Sequence, residues 1–220
     1  MKLIKLSLAV AIVSTLAFGA EEKPELSVSG SLAFASNYIW RGMTQTNNSP
    51  AVQGAINLGY KGFYLGTAGS NVKFEGVDTS AEFDALGGYT GEAYGIGYDI
   101  GAIEYMYPNA SKEANFADIY LGLSKDFEVV KIGAKFYRGV KTNELEVTNA
   151  WEASLLVPLP MGISFDTLYG DYTDVGNYYS VGFTEPINDK FKVALFYTGI
   201  NKDVGGVDED NIVAMVSASF

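Results

Sequence analysis

The sequence predicts an all-β protein, a transmembrane up-and-down antiparallel β-barrel of twelve strands preceded by a cleaved signal peptide. Three observations carry this expectation. Apolar and polar residues alternate with period two along nearly the whole chain, the segments are joined by short turns and long loops in alternation, and aromatic residues gather at both segment ends. The pattern allows ten to fourteen strands and favours twelve.

Residues 1–20, MKLIKLSLAVAIVSTLAFGA, stand apart. Lys2 and Lys5 precede an apolar run from Leu6 to Leu16 and the stretch Ala17-Phe18-Gly19-Ala20. This is the three-part pattern of a secretory signal peptide, cleaved after Gly19 or Ala20. A retained membrane helix would need about 20 apolar residues. Residues 21–220 are then the barrel domain.

LSVSGSLAFASNYIW, residues 26–40, reads as one first strand, with Leu26, Val28, Leu32, Phe34, Tyr38 and Trp40 on a single face. AVQGAINLGYK sets Val52, Ile56, Leu58 and Tyr60 against Gln53, Asn57 and Lys61, and a weaker segment follows at 62–72. Ala81, Phe83, Ala85 and Tyr89 oppose Glu82 and Asp84; Tyr94, Ile96, Tyr98 and Ile100 oppose Asp99. Apolar parity then shifts to Ile103, Tyr105 and Tyr107, which predicts a bulge near Gly101. Ile119, Leu121 and Leu123 oppose Asp118; Ile132, Ala134 and Phe136 oppose Lys131 and Lys135; Trp151, Ala153 and Leu155 oppose Glu152. Shorter runs occupy 162–169, which carries Asp166, then 177–184 and 191–198. The chain ends DNIVAMVSASF, alternating up to Phe220.

Short connections are expected at Lys61-Gly62, Thr90–Ala93, Lys125-Asp126 and Pro158–Pro160. Long ones are expected at 42–50, 73–80, 108–113, 139–146, 170–176 and 199–210, with 185–190 an exception that should be short and is not.

Alternation fits a soluble sandwich as well as a membrane barrel. The aromatics separate them. Tyr60, Phe63, Tyr89, Tyr94, Phe127, Phe183, Phe191 and Phe220 fall at the short-turn end; Tyr38, Trp40, Tyr105, Tyr107, Phe136 and Tyr169 fall at the other. A core has no reason to sort rings to its rims, whereas two membrane interfaces do.

Composition excludes several function classes. The chain has no Cys, so an exported fold is held without disulfides, and no His, so no Ser–His or Asp–His site can be built. Without Lys2 and Lys5 the count is 13 basic against 26 acidic, a net charge of −13, which repels nucleic acid. DVGGVDEDN, residues 203–211, lacks EF-hand spacing and reads as a solvated loop. Neither an enzyme, a cofactor nor a metal is expected.

Residues 36–72 resemble the opening of the TorF family of porins, a family formerly known only as a conserved bacterial outer-membrane family of unknown function. The likeness rests on Asn37-Tyr38-Ile39-Trp40-Arg41-Gly42, Gln45, Pro50-Ala51, Gln53-Gly54 and Gly62-Phe63-Tyr64. It implies an outer-membrane barrel and solute passage in a Gram-negative bacterium, without a defined site. The ending resembles the last strand that the barrel-assembly machinery reads, with Phe220 as the assembly signal.

Arg41, Glu82, Asp84, Asp99, Asp118, Lys131, Lys135, Glu152 and Asp166 are the candidate pore-lining residues, because charge facing lipid costs a few kcal/mol per residue, whereas charge around a watery lumen costs little. Six acids against three bases predict a channel for passive diffusion of small hydrophilic solutes, preferring cations or uncharged ones. Its other partners would be outer-membrane lipid, lipopolysaccharide and the barrel-assembly machinery. The alternative is a non-conducting outer-membrane barrel that acts as an adhesin, receptor or structural protein through its loops.

Overall fold

In the computed structural model, residues 26–110, 114–140, 148–203 and 206–220 are described. The signal peptide expected at 1–20 lies outside the described residues. Strand β1 spans Ser27–Ala35, and the two-residue strands β2 (Ile39–Trp40) and β3 (Met43–Thr44) form a hairpin of their own. There follow β4 (Ala51–Tyr60), β5 (Phe63–Asn71), β6 (Ala81–Ala93), β7 (Ile96–Met106), β8 (Phe116–Asp126) and β9 (Lys131–Val140). The last five are β10 (Asn149–Pro158), β11 (Ser164–Tyr172), β12 (Gly176–Pro186), β13 (Phe191–Lys202) and β14 (Glu209–Ser219).

Apart from β2 and β3, the strands make one closed antiparallel barrel of twelve, each paired with its sequence neighbours and β14 paired with β1. The seam runs from Ser31↔Ser219 to Ala35↔Met215. It is extended by a reciprocal pair: Gly30 N–H donates to the Phe220 carbonyl (2.8 Å) and Phe220 N–H donates to the Gly30 carbonyl (3.0 Å). Gly30 has a reason to lack a side chain, since a Cβ there would overlap the Phe220 ring.

The alternation maps onto two surfaces. Leu32, Ile56, Leu65, Ile100, Leu121 and Leu195 are all exposed on the outside, part of a continuous apolar exterior that suits hydrocarbon. Strands of nine to thirteen residues match what a tilted strand needs to cross a bilayer.

Several expected boundaries shift. The first strand stops at Ala35 rather than at 40, because Ser36 exchanges its last sheet bonds with Ala214 and the chain then turns inward. The turn placed at Thr90–Ala93 lies at Tyr94-Gly95, both at positive φ. No bulge occurs near Gly101: β7 pairs without interruption with both β6 and β8. The parity shift has another cause, for Ile103 and Tyr105 are apolar residues on the inner face, buried in the barrel interior. The connection expected to be long at 170–176 is three residues, 173–175, and the one at 185–190 is four residues, 187–190.

At the short-turn end the outer surface carries exposed Tyr60, Phe63, Phe127, Phe183, Phe191 and Phe220, with Tyr94 at the tip of its turn and Tyr89 edge-on to Phe63 at 4.8 Å. At the long-loop end the outward rings are Phe136, Trp151, Tyr169, Tyr179 and Tyr197, not Tyr38, Trp40, Tyr105 and Tyr107. Those four lie inside, because the inward hairpin and the inner face of β7 carry them there. Tyr169 bonds Asn177 and Tyr197 bonds Asp210, so this girdle is also hydrogen-bonded.

Deleting Phe220 removes the two backbone bonds that extend the seam, each worth about 1 kcal/mol. Urea unfolding in detergent should therefore show a loss of about 2 kcal/mol, with less of the heat-modifiable folded form on gels.

Candidate functional site

The interior is built around the segment 36–50. Its base is tied by Asn37, whose side-chain amide donates to Asn48 (2.9 Å) and to Asn211 on β14 (3.1 Å), and whose carbonyl accepts from Thr44 and Thr46, both at 2.8 Å. Thr44 N–H donates to Glu209 (2.8 Å), and Glu209 also holds Lys202 at 2.9 Å. At the tip, Arg41 and Gly42 have φ of 47° and 79°, the conformation of a tight primed hairpin turn. Gly42 packs so closely against β13 that a Cβ would collide with the Gly199 carbonyl.

This hairpin crosses the lumen. Its root is the wall made by β1 and β4, and Arg41 at its tip reaches Asp118 on β8, close to diametrically opposite, at 2.7 Å. Both partners are nearly sealed, at 4% and 2% side-chain exposure. The guanidinium also lies 4.4–4.9 Å from the ring centres of Trp40, Tyr137 and Tyr172. Trp40 meets Tyr105, Phe116 and Tyr172 edge-on, at 5.8, 5.7 and 5.6 Å.

Room for the hairpin comes from small inward residues. Ala33, Ala35 and Ala51 on the root wall pack with Ile39 and Tyr38, and Val72, Ala194, Phe196, Val213 and Met215 complete that cluster. The long-loop half of the lumen is therefore partly an apolar core, where a purely polar lining was expected.

The candidate pore-lining residues all lie on inward positions, but in different company. Arg41 and Asp118 form the sealed pair. Lys135 approaches Asp99 at 3.4 Å and sits 3.8 Å from the Tyr120 ring centre. Glu152 accepts hydroxyls from Tyr178 (3.0 Å) and Tyr137 (3.1 Å). Asp166 accepts from Ser164 (2.8 Å) and Thr184 (3.2 Å) at the short-turn end, where Lys192 lies close by. Lys131 is half-buried at the start of β9. Tyr38 donates to Glu82 at 2.6 Å, and among the described residues Asp84 Oδ1 has no hydrogen-bond partner. Arg41, Glu82, Asp84, Lys135 and Glu152 share an internal cavity of about 90 Å³.

Sequence reasoning missed the inward tyrosines. Tyr64 donates to Asp99 at 2.7 Å and bonds Tyr120, so tyrosine hydroxyls help to satisfy the buried acids. Lys192 and Lys202 were also missed. Strand parity, carried through 191–202 with the same rule, places both inside.

Replacing Arg41 with Ala would leave Asp118 buried and unpaired, which typically costs about 3–5 kcal/mol. The double variant R41M/D118L should recover most of that loss in detergent unfolding experiments, because it removes both charges and keeps the volume.

The sequence model of Gcw_chp, a bacterial protein family of unknown function, matches residues 19–220. No curated protein matches the chain. Among solved structures, the chain is similar to the KdgM porin, with a TM-score of 0.61, 11% identity, and coverage of 87% of this chain and 99% of that one. The NanC porin gives 0.58, 10%, 88% and 99%. The outer membrane phospholipase A of Escherichia coli gives 0.53, 8%, 86% and 92%.

Proposed function

We infer that this chain, which belongs to the Gcw_chp family of bacterial proteins of unknown function, is a narrow porin-like channel of the bacterial outer membrane. Small hydrophilic solutes cross it by diffusion, past a constriction made by the 36–50 hairpin. The observation that carries this reading is a closed barrel with an apolar exterior whose interior holds charged and hydroxyl groups around a cavity. The porin resemblance of residues 36–72 supports it. The likeness to a phospholipase concerns the barrel alone, and a chain without His has no Ser–His dyad. Export by the signal peptide, lipid and lipopolysaccharide around the girdles, and recognition of Phe220 by the assembly machinery belong to the same reading.

Selectivity follows from charge pairing. Arg41 and Lys135 are committed to Asp118 and Asp99, and among the described residues no ion pair reaches Glu82, Asp84 or Glu152. Uncompensated carboxylates in a narrow lumen favour cations and uncharged solutes. KdgM has been solved with oligogalacturonate, a polyanion, and a lumen of this charge disfavours that class.

One observation favours a second reading. The hairpin reaches across the lumen and packs on two buried clusters, as a plug would in a barrel that acts through its loops.

Planar-bilayer recordings separate the two. The intact barrel should show small, cation-preferring conductance, and Gly42→Ala should enlarge it several-fold by unseating the hairpin. Glu152→Gln should weaken the cation preference. Silence from both the intact barrel and a form lacking residues 38–45 would favour the plugged barrel, and anion preference in dilute salt would overturn the selectivity.

A further inference from the structure

We propose that Glu82 and Asp84 form a binding site within the lumen for the protonated amine of a small organic cation. The two residues stand two apart on β6, so their side chains leave the same inner face. Each is 3% exposed, and both line the cavity of about 90 Å³. Glu82 is fixed by the Tyr38 hydroxyl at 2.6 Å, on the inward hairpin. Asp84 Oδ1 is buried and lacks a hydrogen-bond partner among the described residues, an arrangement whose desolvation is normally offset by a bound donor.

The surroundings select the donor. Both cations on the cavity wall are engaged elsewhere, Arg41 with Asp118 at 2.7 Å and Lys135 with Asp99 at 3.4 Å, so the protein supplies no counter-charge. Anions are repelled. Calcium needs six to eight oxygens, and no group of three or more acidic residues that could hold a metal occurs among the described residues. An ammonium needs only a few acceptors and presents three donors, which the carboxyl oxygens of Glu82 and Asp84 on the cavity wall can accept.

The proposal rests on the channel reading, because solute reaches the site through the lumen. Equilibrium binding in detergent does not require passage, so the two fail separately: binding without conductance overturns the channel, and conductance without binding overturns the site. Calorimetric titration of the refolded full-length barrel with propylammonium chloride at pH 8 should show saturable binding to one site, with 1-propanol giving none. Asp84→Asn should weaken binding about tenfold or more while the folded band on gels stays heat-modifiable. Equal binding of 1-propanol, no binding of propylammonium, unchanged affinity in the Asn variant, or displacement by equimolar calcium would each overturn the site. If the Asn variant does not fold, the comparison of amine with alcohol on the unaltered protein still decides.

Discussion

A backbone in hydrocarbon has no water to bond, so every strand must find two partners. In this protein the requirement is met at one place, the seam of β1 and β14, and the remaining architecture follows from it. Once the sheet is closed, each strand has an apolar outside suited to hydrocarbon and an inside that faces the hairpin and the lumen. Leu32 and Ala33 are neighbours in sequence, yet one is exposed on the exterior and the other sealed against the hairpin.

The inside is neither a plain water channel nor a plain core. Twelve strands enclose more space than short side chains fill, and the protein occupies part of it with its own backbone. The hairpin's polar groups are met by Asn37, Thr44, Thr46 and Glu209 at its root, and its tip by a charge pair ringed with aromatics. Beside it the lumen keeps carboxyl groups held by tyrosine hydroxyls, such as Glu152 between Tyr137 and Tyr178. Constriction and polar lining therefore come from the same few residues.

Most of the barrel was legible because period two is a local property: the strands follow from alternation, and the outward face from the sorting of rings to the strand ends. The hairpin was not legible by that rule. Tyr38 and Trp40 keep the parity of Leu32 and Phe34, and parity says which face a side chain takes only while the chain stays in the sheet. The fifteen residues 26–40 exceed the nine to eleven that a tilted strand needs, and that excess was the available signal. Ile103 misled in the opposite sense. An apolar residue on the inner face reads as a register fault until one knows that the interior contains something apolar to pack against. Acidic positions such as Glu82 were located by pattern, but their partners come from strands far away in sequence, and no local rule supplies those.

The tie between Asn37 and Asn211 spans 174 residues, and Thr44 meets Glu209 across 165. Both links join the hairpin's root to the final strand. Neither can exist while the carboxyl end of the chain is still elsewhere, so the hairpin becomes fully anchored only as the cylinder shuts. A nascent sheet lacking its last member would hold a loosely tethered arm, and arrival of that member fixes wall and arm together.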